Sequence, residues 1–587
     1  MDPTGFESAD EAKWRAAAEA GLAGKSFDQV LMGATPEGIP IEPLYLERHR
    51  TSGVDVDLPE RTFVGQRFDA TGGADVRQAV RAALRSGVDV AWIAVDETKE
   101  LEATLAGLDK SQPILLDAAT RATRLAEKAL DLGYTQVSAM FDPFGAALRS
   151  WGLDVPLEAA LDQAGTFVRD AVALRALGQS QDPSSLFHRR ALAFSAADVV
   201  DAGGHASHAI GYTLAGCLEV LRRLEVRGLD PAHAAGEMAI VVSCGTDVYG
   251  GIAFLRALRL GWAKLLAALG VEGAPAPLIV GTTSVRTLSR LDQPTNIIRV
   301  AVETFALQVG GADIVAPRVF DEASGVTTDL GRRLAKNTAI VLGEESHVRG
   351  VGDPASGSYF IDTLTVELAR AGWNELGRIE REGGLISSLA SGGFQRRVLD
   401  ARVARAAQVA KRARTLVGVN EFAAAEDQPG AGVADDDRAQ STRTWPIRAL
   451  EPGRDAEPFE ALRLRARSGG KAPRAQIVRV GDAAKSKARE AFARSFLEVG
   501  GFVVSTDAGD QPAEAVVIVG TDDAYKTGAE AAVFAAKNAG ARAIVLAGRP
   551  GDLESTLQAA GLTHSIHLGA DVPAVVGSIL DRVQRSR

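Results

Sequence analysis

Two periods run through the apolar and polar positions of this chain. Between residues 61 and 320, short apolar runs recur with longer amphipathic stretches between them. The runs are Thr62–Phe68, Val88–Val95, Pro113–Asp117, Gln136–Phe141, Ala191–Ala197, Met238–Cys244, Leu278–Thr283 and Asp313–Val319. Several, such as Ala239-Ile240-Val241-Val242, are continuously apolar, the pattern of parallel strands covered on both faces. Segments such as Asp75–Ser86, Ala119–Leu132, Ala209–Leu224 and Tyr249–Leu269 have helical composition and length. Eight β/α alternations in roughly 260 residues predict a (β/α)8 barrel, with any chemistry at the C-terminal ends of its strands. Further helices are predicted to about residue 414.

The flanks read differently. Residues 6–25 predict an amphipathic helix carrying Phe6, Trp14, Ala17, Ala18 and Leu22, stopped at Gly24. Two prolines bar Gly38–Tyr45 from a central strand, so it reads as an extended arm. That arm packs either on its own domain or on a partner. Over 420–474 periodicity disappears. Glu426–Gly432 and Asp435-Asp436-Asp437-Arg438 are rich in glycine, proline or charge and mark a linker. A second unit follows, with β-runs Gln476–Val480, Phe502–Ser505, Ala515–Val519, Ala543–Leu546 and Ser565–Leu568. Helical segments at about 484–499, 523–539, 551–560 and 572–584 alternate with them, which predicts a flavodoxin-like doubly wound domain. The expected layout is an N-terminal helix and arm (1–60), the barrel with its helical extension (61–415), the linker (416–474) and the flavodoxin-like domain (475–587).

Composition narrows the function classes. The 587 residues carry 65 Lys+Arg against 75 Asp+Glu, a net charge of −10, which argues against a general nucleic-acid binder. A charged fraction of 24% with 46% hydrophobic residues is that of a globular chain, not a disordered one. Cys217 and Cys244 are too few for a disulfide framework. The acidic N-terminus lacks the apolar core of a secretory signal, and no apolar run reaches the roughly 20 residues of a membrane span. A cytoplasmic protein is expected, with neither nucleic acid nor membrane as partner.

Three places invite chemistry. Asp198, after Ser195-Ala196-Ala197 at the end of the fifth strand, could act as a base, but no titratable partner stands at a fixed spacing. A cap for the following helix is the favoured role. His205 and His208 have the i,i+3 spacing of metal ligands but lack a third ligand, and read as a hydrogen-bonded pair at a helix start. The turn Gly481-Asp482-Ala483-Ala484-Lys485-Ser486-Lys487 opens the first helix of the second unit, where doubly wound sheets take ligands. It has no phosphate-loop or dinucleotide glycine pattern. No G-x-S-x-G elbow, C-x-x-C pair or Cys–His pairing is present.

A barrel, a linker and a flavodoxin-like domain in this order resemble the cobalamin-dependent acyl-CoA mutases, methylmalonyl-CoA mutase in particular. Local matches cover essentially the whole chain. They include Lys25-Ser26-Phe27-Asp28 with the Gly38–Tyr45 arm, and Ile252–Ala257 followed by Trp262-Ala263-Lys264-Leu265. Leu334–Thr338 with Leu342–Ser346, and Asp353-Pro354-Ala355-Ser356-Gly357-Ser358-Tyr359-Phe360, are also similar to the family.

Departures from the family point to a degenerate member. Its D-x-H-x-x-G motif, whose histidine ligates cobalt, falls on Asp482, Ala484 and Lys487, so the ligand position is an alanine. S-x-L falls on Thr521-Asp522-Asp523, and the glycine-rich loop is shortened to Ala547-Gly548-Arg549-Pro550. In the barrel, S-G-Y-H, whose histidine contacts the thioester carbonyl, becomes Ser195-Ala196-Ala197-Asp198. An ionised Asp cannot donate to that oxygen. T-I-R-Q-Y-A-G has no counterpart in Phe63–Asp69, and R-T-H-S-Q-T-S-G becomes Gly281–Thr287.

The pattern resembles the small (β) subunit of heterodimeric bacterial methylmalonyl-CoA mutase. The resemblance implies an isomerase of propionate metabolism. Its large (α) subunit binds adenosylcobalamin and interconverts (R)-methylmalonyl-CoA and succinyl-CoA. This chain is then expected to hold no catalytic, cofactor-binding or metal residue of its own, and to stabilise that large subunit. Two alternatives stay open: an independent barrel enzyme with another ligand, built on Asp198 or Asp482, and the small subunit of a mutase for a related acyl-CoA.

Overall fold

A computed structural model describes residues 10–51, 56–70, 74–118, 121–149, 157–176, 190–424, 447–468, 470–507 and 513–584. Phe6 of the predicted N-terminal helix and the acidic linker segment lie outside these residues. Eight parallel strands form the first sheet: β1 (Phe63–Asp69), β2 (Val90–Ala94), β3 (Ile114–Asp117), β4 (Val137–Ser138), β5 (Leu192–Ser195), β6 (Met238–Cys244), β7 (Leu278–Thr283) and β8 (Ile314–Ala316). Each pairs with its sequence neighbour, and β8 returns to β1 through Ile314–Phe63. A bridge between Phe141 and Leu192, with the Ala193 N–H donating to the Phe141 carbonyl at 2.9 Å, closes β4 onto β5. The predicted (β/α)8 barrel is therefore complete.

Strand alternation sorts the core into two layers. On β2, Val90 and Trp92 point to the barrel axis, while Ala91 and Ile93 face the surrounding helices. The axis is filled by apolar side chains, among them Trp92, Leu115, Met140, Val241, Val280 and Ile314. Close approach of the strands depends on Gly65 in β1, where a Cβ would lie 2.9 Å from the Ile314 side chain. The fourth strand is shorter than its apolar run predicts, because Met140 takes a left-handed backbone (φ 38°) that interrupts the ladder. The fifth also ends early: Ala196 and Ala197, predicted as strand, begin the helix Ala196–Asp201.

The second sheet comprises β9 (Arg474–Val480), β10 (Val503–Ser505), β11 (Ala515–Gly520), β12 (Ala543–Ala547) and β13 (His564–Ile566). Its order, β10-β9-β11-β12-β13, is the flavodoxin-like 2-1-3-4-5. Leu568, read as the end of the last strand, lies beyond it and is exposed.

Residues 447–467 join the two units. Helix Glu457–Arg467 places Phe459 and Leu462 in the second core. The segment before it runs as a strap over the C-terminal face of the barrel. Leu450 N–H donates to the Leu148 carbonyl at 2.8 Å, Gly453 N–H to Asp201 at 3.1 Å and Asp455 N–H to Arg286 at 2.9 Å. At the other end of the chain, Tyr45 packs on Phe360 with ring centroids 5.0 Å apart, so this part of the arm lies on its own barrel domain. Helix Glu11–Gly21 has no fully buried side chain, although Trp14 packs edge-on against Phe27 with ring centroids 6.0 Å apart.

Candidate functional site

The barrel mouth is polar, and its charges pair among themselves. Ser195 Oγ accepts the Asp198 N–H at 3.2 Å, so the cap of the helix after β5 is Ser195, not Asp198. Asp198 occupies the first turn instead, 3.7 Å from the Arg149 guanidinium. Beneath it, buried Asp142 accepts the N–H groups of Gly145 at 2.7 Å and Ser195 at 2.8 Å. Burial pushes the Asp142 carboxyl up to about 6, against the pull of Arg149. Burial likewise raises Asp198. It acts to lower Arg149, but Asp198 and Asp117 outweigh that and hold the guanidinium above its ordinary value.

Farther round the rim, Asp201 accepts hydrogen bonds from Ser284 Oγ at 2.5 Å and Ser243 Oγ at 3.2 Å, and Arg318 stands 3.4 Å away. Arg318 also donates to Glu322 at 2.6 Å and to the Thr283 carbonyl at 2.9 Å. Glu303, fully buried on the helix after β7, accepts from Ser284 N–H at 2.9 Å and Thr287 Oγ1 at 2.6 Å. Burial pushes its carboxyl up to about 8, so it carries a proton at neutral pH. The sequence reading singled out Asp198 alone. Arg149, Asp142, Asp201 and Arg318 form no local motif, because they come from three separate strand exits, Asp142 and Arg149 after β4, Asp201 after β5 and Arg318 after β8.

His205 and His208 do come together. Their rings stack at 5.1 Å, and His208 Nδ1 accepts the His205 N–H at 3.2 Å. Burial holds the His208 imidazole down at about 4. The pair thus closes a helix N-terminus, in line with the hydrogen-bonded reading. Among the described residues, no group of three His, Cys, Asp or Glu side chains is placed to hold a metal ion. Cys217 and Cys244 are buried free thiols.

In the second domain, Asp482 caps helix Ala483–Glu498, accepting the Ala484 N–H at 2.9 Å. Ala484 and Lys487 are exposed on its first two turns. Thr521 caps the helix after β11 in the same way, accepting from Ala524 N–H at 3.2 Å. The space between the ends of β11 and β12 is occupied by Tyr525, whose side chain the sequence reading did not mark. Its hydroxyl accepts the Gly520 N–H at 3.0 Å and donates to the Ala547 carbonyl at 2.7 Å. Arg489 lies over the ring and donates to the Gly520 carbonyl and to Asp522, both at 2.8 Å.

Comparison with known proteins adds to this geometry. A family model described as "Methylmalonyl-CoA mutase" matches residues 185–488. The chain is 30% identical to the methylmalonyl-CoA mutase small subunit of Streptomyces virginiae, over 96% of this chain and 94% of that one. It is 31% identical to a probable methylmalonyl-CoA mutase small subunit of Mycobacterium bovis, covering 83% of this chain and 80% of the relative. A protein of Cereibacter sphaeroides named methylmalonyl-CoA mutase is 32% identical, but over only 39% of this chain and 33% of its own length.

Proposed function

The chain belongs to the methylmalonyl-CoA mutase family, similar to small subunits of that family along nearly its whole length, and we propose that it is the non-catalytic partner in such a mutase. In this reading the large subunit binds adenosylcobalamin and interconverts (R)-methylmalonyl-CoA and succinyl-CoA in the cytoplasm, and this chain stabilises it in a heterodimer. The observation that carries the reading is the geometry of the two ligand-taking faces. At the barrel mouth, Asp198, the position that the sequence resemblance matches to the family's substrate-contacting histidine, is paired with Arg149. A carboxylate there opposes negative charge on a thioester oxygen; losing one oxyanion donor alone costs about 10²–10³ in rate. Along the barrel axis, Trp92 and its neighbours occupy the space.

The residues of the second domain do not fit a cobalamin. The methyl of Ala484 offers no lone pair to a metal. Tyr525 fills the sheet edge and satisfies the backbone groups there with its own hydroxyl. No step is assigned to this chain's residues. Its contribution is surface and scaffold, and helix Glu11–Gly21, which has no fully buried side chain, is the segment offered to the partner. Among the described residues no helix is long and apolar enough to cross a membrane.

The test is purification of the chain from its own cells and, separately, alone. Co-purification with a second chain that brings the cobalamin spectrum supports the reading. A tight, stoichiometric cobalamin spectrum on the isolated chain would overturn it. Removing residues 1–45 is expected to weaken association with the second chain; unchanged association would remove the helix from the interface.

A further inference from the structure

Three arginines from distant parts of the sequence converge on the rim between the ends of β6 and β7. Arg286 leaves the turn after β7, and its guanidinium crosses to β6, where a Cβ on Gly245 would lie 3.5 Å from Nη2. Arg405 comes from helix Gly393–Ala410, and Arg414 from the residues just past it. Their charges act on one another: burial and then Arg405 hold Arg286 down at about 10, and burial and then Arg405 also lower Arg414.

The carboxylates nearby are already engaged. Asp455 is held by Arg405, whose Nε donates to its two oxygens at 2.8 and 2.9 Å. Asp201 serves Ser243, Ser284 and Arg318. Asp247 caps its own helix, accepting the Gly250 N–H at 3.0 Å. Arg286 and Arg414 make no side-chain hydrogen bond to the described residues, and the Nε of Arg286 is buried without a partner. An unmet buried donor on a charged group is costly, and clustered like charges raise the cost. Both residues are nonetheless only partly buried, so each keeps some surface open to solvent. The cluster sits on the face of the barrel where the fold takes its ligands.

We propose that Arg286 and Arg414, backed by the Arg405–Asp455 pair, form a binding site for a small oxyanion, a phosphate or a carboxylate, at the barrel rim. A planar guanidinium offers such an anion two parallel donors, and the anion supplies both the missing acceptors and the missing negative charge. This site is separate from Asp198 and from the sheet edge of the second domain, and does not depend on the role proposed above.

Calorimetric titration of the full chain with inorganic phosphate and with succinate, at constant ionic strength in chloride, tests it. Saturable binding of either anion is expected, and which one binds identifies the ligand chemistry. Arg286→Leu should weaken it about tenfold or more, the loss of one charge-assisted hydrogen bond. Arg414→Gln, at a position less embedded in the barrel, should weaken it similarly and decides the matter if the first variant does not fold. No saturable binding of either anion, or equal binding by wild type and the folded variants, overturns the proposal.

Discussion

The barrel mouth and the sheet edge of the second domain are the places where their folds take ligands, and this chain furnishes them by opposite means. The mouth is rich in charge: Asp142, Asp198, Asp201, Arg149 and Arg318 neutralise one another across strand exits. The edge is closed by bulk, with one aromatic ring using its hydroxyl to satisfy the backbone groups a ligand would otherwise meet. A charged network depends on its partners and on pH, because removing one member strands the rest. An aromatic plug depends on shape and on the hydrogen bonds of one hydroxyl, and pH leaves it untouched below the titration of tyrosine.

The largest effect is expected at the barrel axis, beneath the charged mouth. Trp92→Ala should cost about 3–5 kcal/mol in urea unfolding, through lost burial and the cavity left behind. Arg149→Met comes next. It leaves two buried or half-buried carboxylates uncompensated and should cost about 3 kcal/mol at pH 8. Asp142, raised to about 6 by burial, supplies the pH signature. Without the pull of Arg149 the carboxyl rises above 6, so the penalty should shrink as pH falls from 8 toward 6, where protonation removes its charge; a pH-independent penalty breaks the electrostatic account.

Tyr525→Phe removes only the hydroxyl, and should cost about 1–3 kcal/mol by leaving a buried donor and acceptor unpaired. Its penalty should be the same at pH 6 and pH 8, which sharpens the contrast with Arg149. Glu303→Gln probes the mouth from below. A carboxyl raised from 4.5 to about 8 by burial holds its proton more tightly when folded, so its contribution is fully present below about 4.5 and is lost as pH rises through 8. The wild type should therefore lose thermal stability between pH 5 and 9, and the variant should lose less. The smallest effect is expected at the exposed helix start: Ala484→His restores a ligand-type side chain, yet equilibrium dialysis should find no cobalamin binding while Tyr525 keeps the edge closed.

Periodicity made the architecture legible. Continuous apolar runs identified the barrel strands because parallel strands are buried on both faces. Strand ends were harder to read. Ala196 and Ala197 suit a strand by composition, but the hydroxyl of Ser195 turns the chain into a helix there. At Met140 the backbone changes hand with no glycine or proline to announce it. Asp198 and Asp482 were visible as polar residues at strand ends, whereas Arg149, Arg286 and Arg414 were not. A guanidinium on a long side chain meets partners chosen by the fold, and nothing in its local sequence records them. Tyr525 carried no signal either, since a tyrosine near a helix start reads as ordinary surface until the strands beside it are placed.

The strap over the barrel mouth also sets an order of events during synthesis. Leu148 and Asp201 offer their carbonyls to Leu450 and Gly453, residues made roughly 250–300 positions later. At about 5–20 residues per second, the ribosome delivers them tens of seconds after the strand exits they cover. For that interval the rim of the nascent barrel stands open, its polar backbone served by water or by whatever cellular factor meets it first. The strap thus acts as a clasp that can close only after every strand of the barrel has been made.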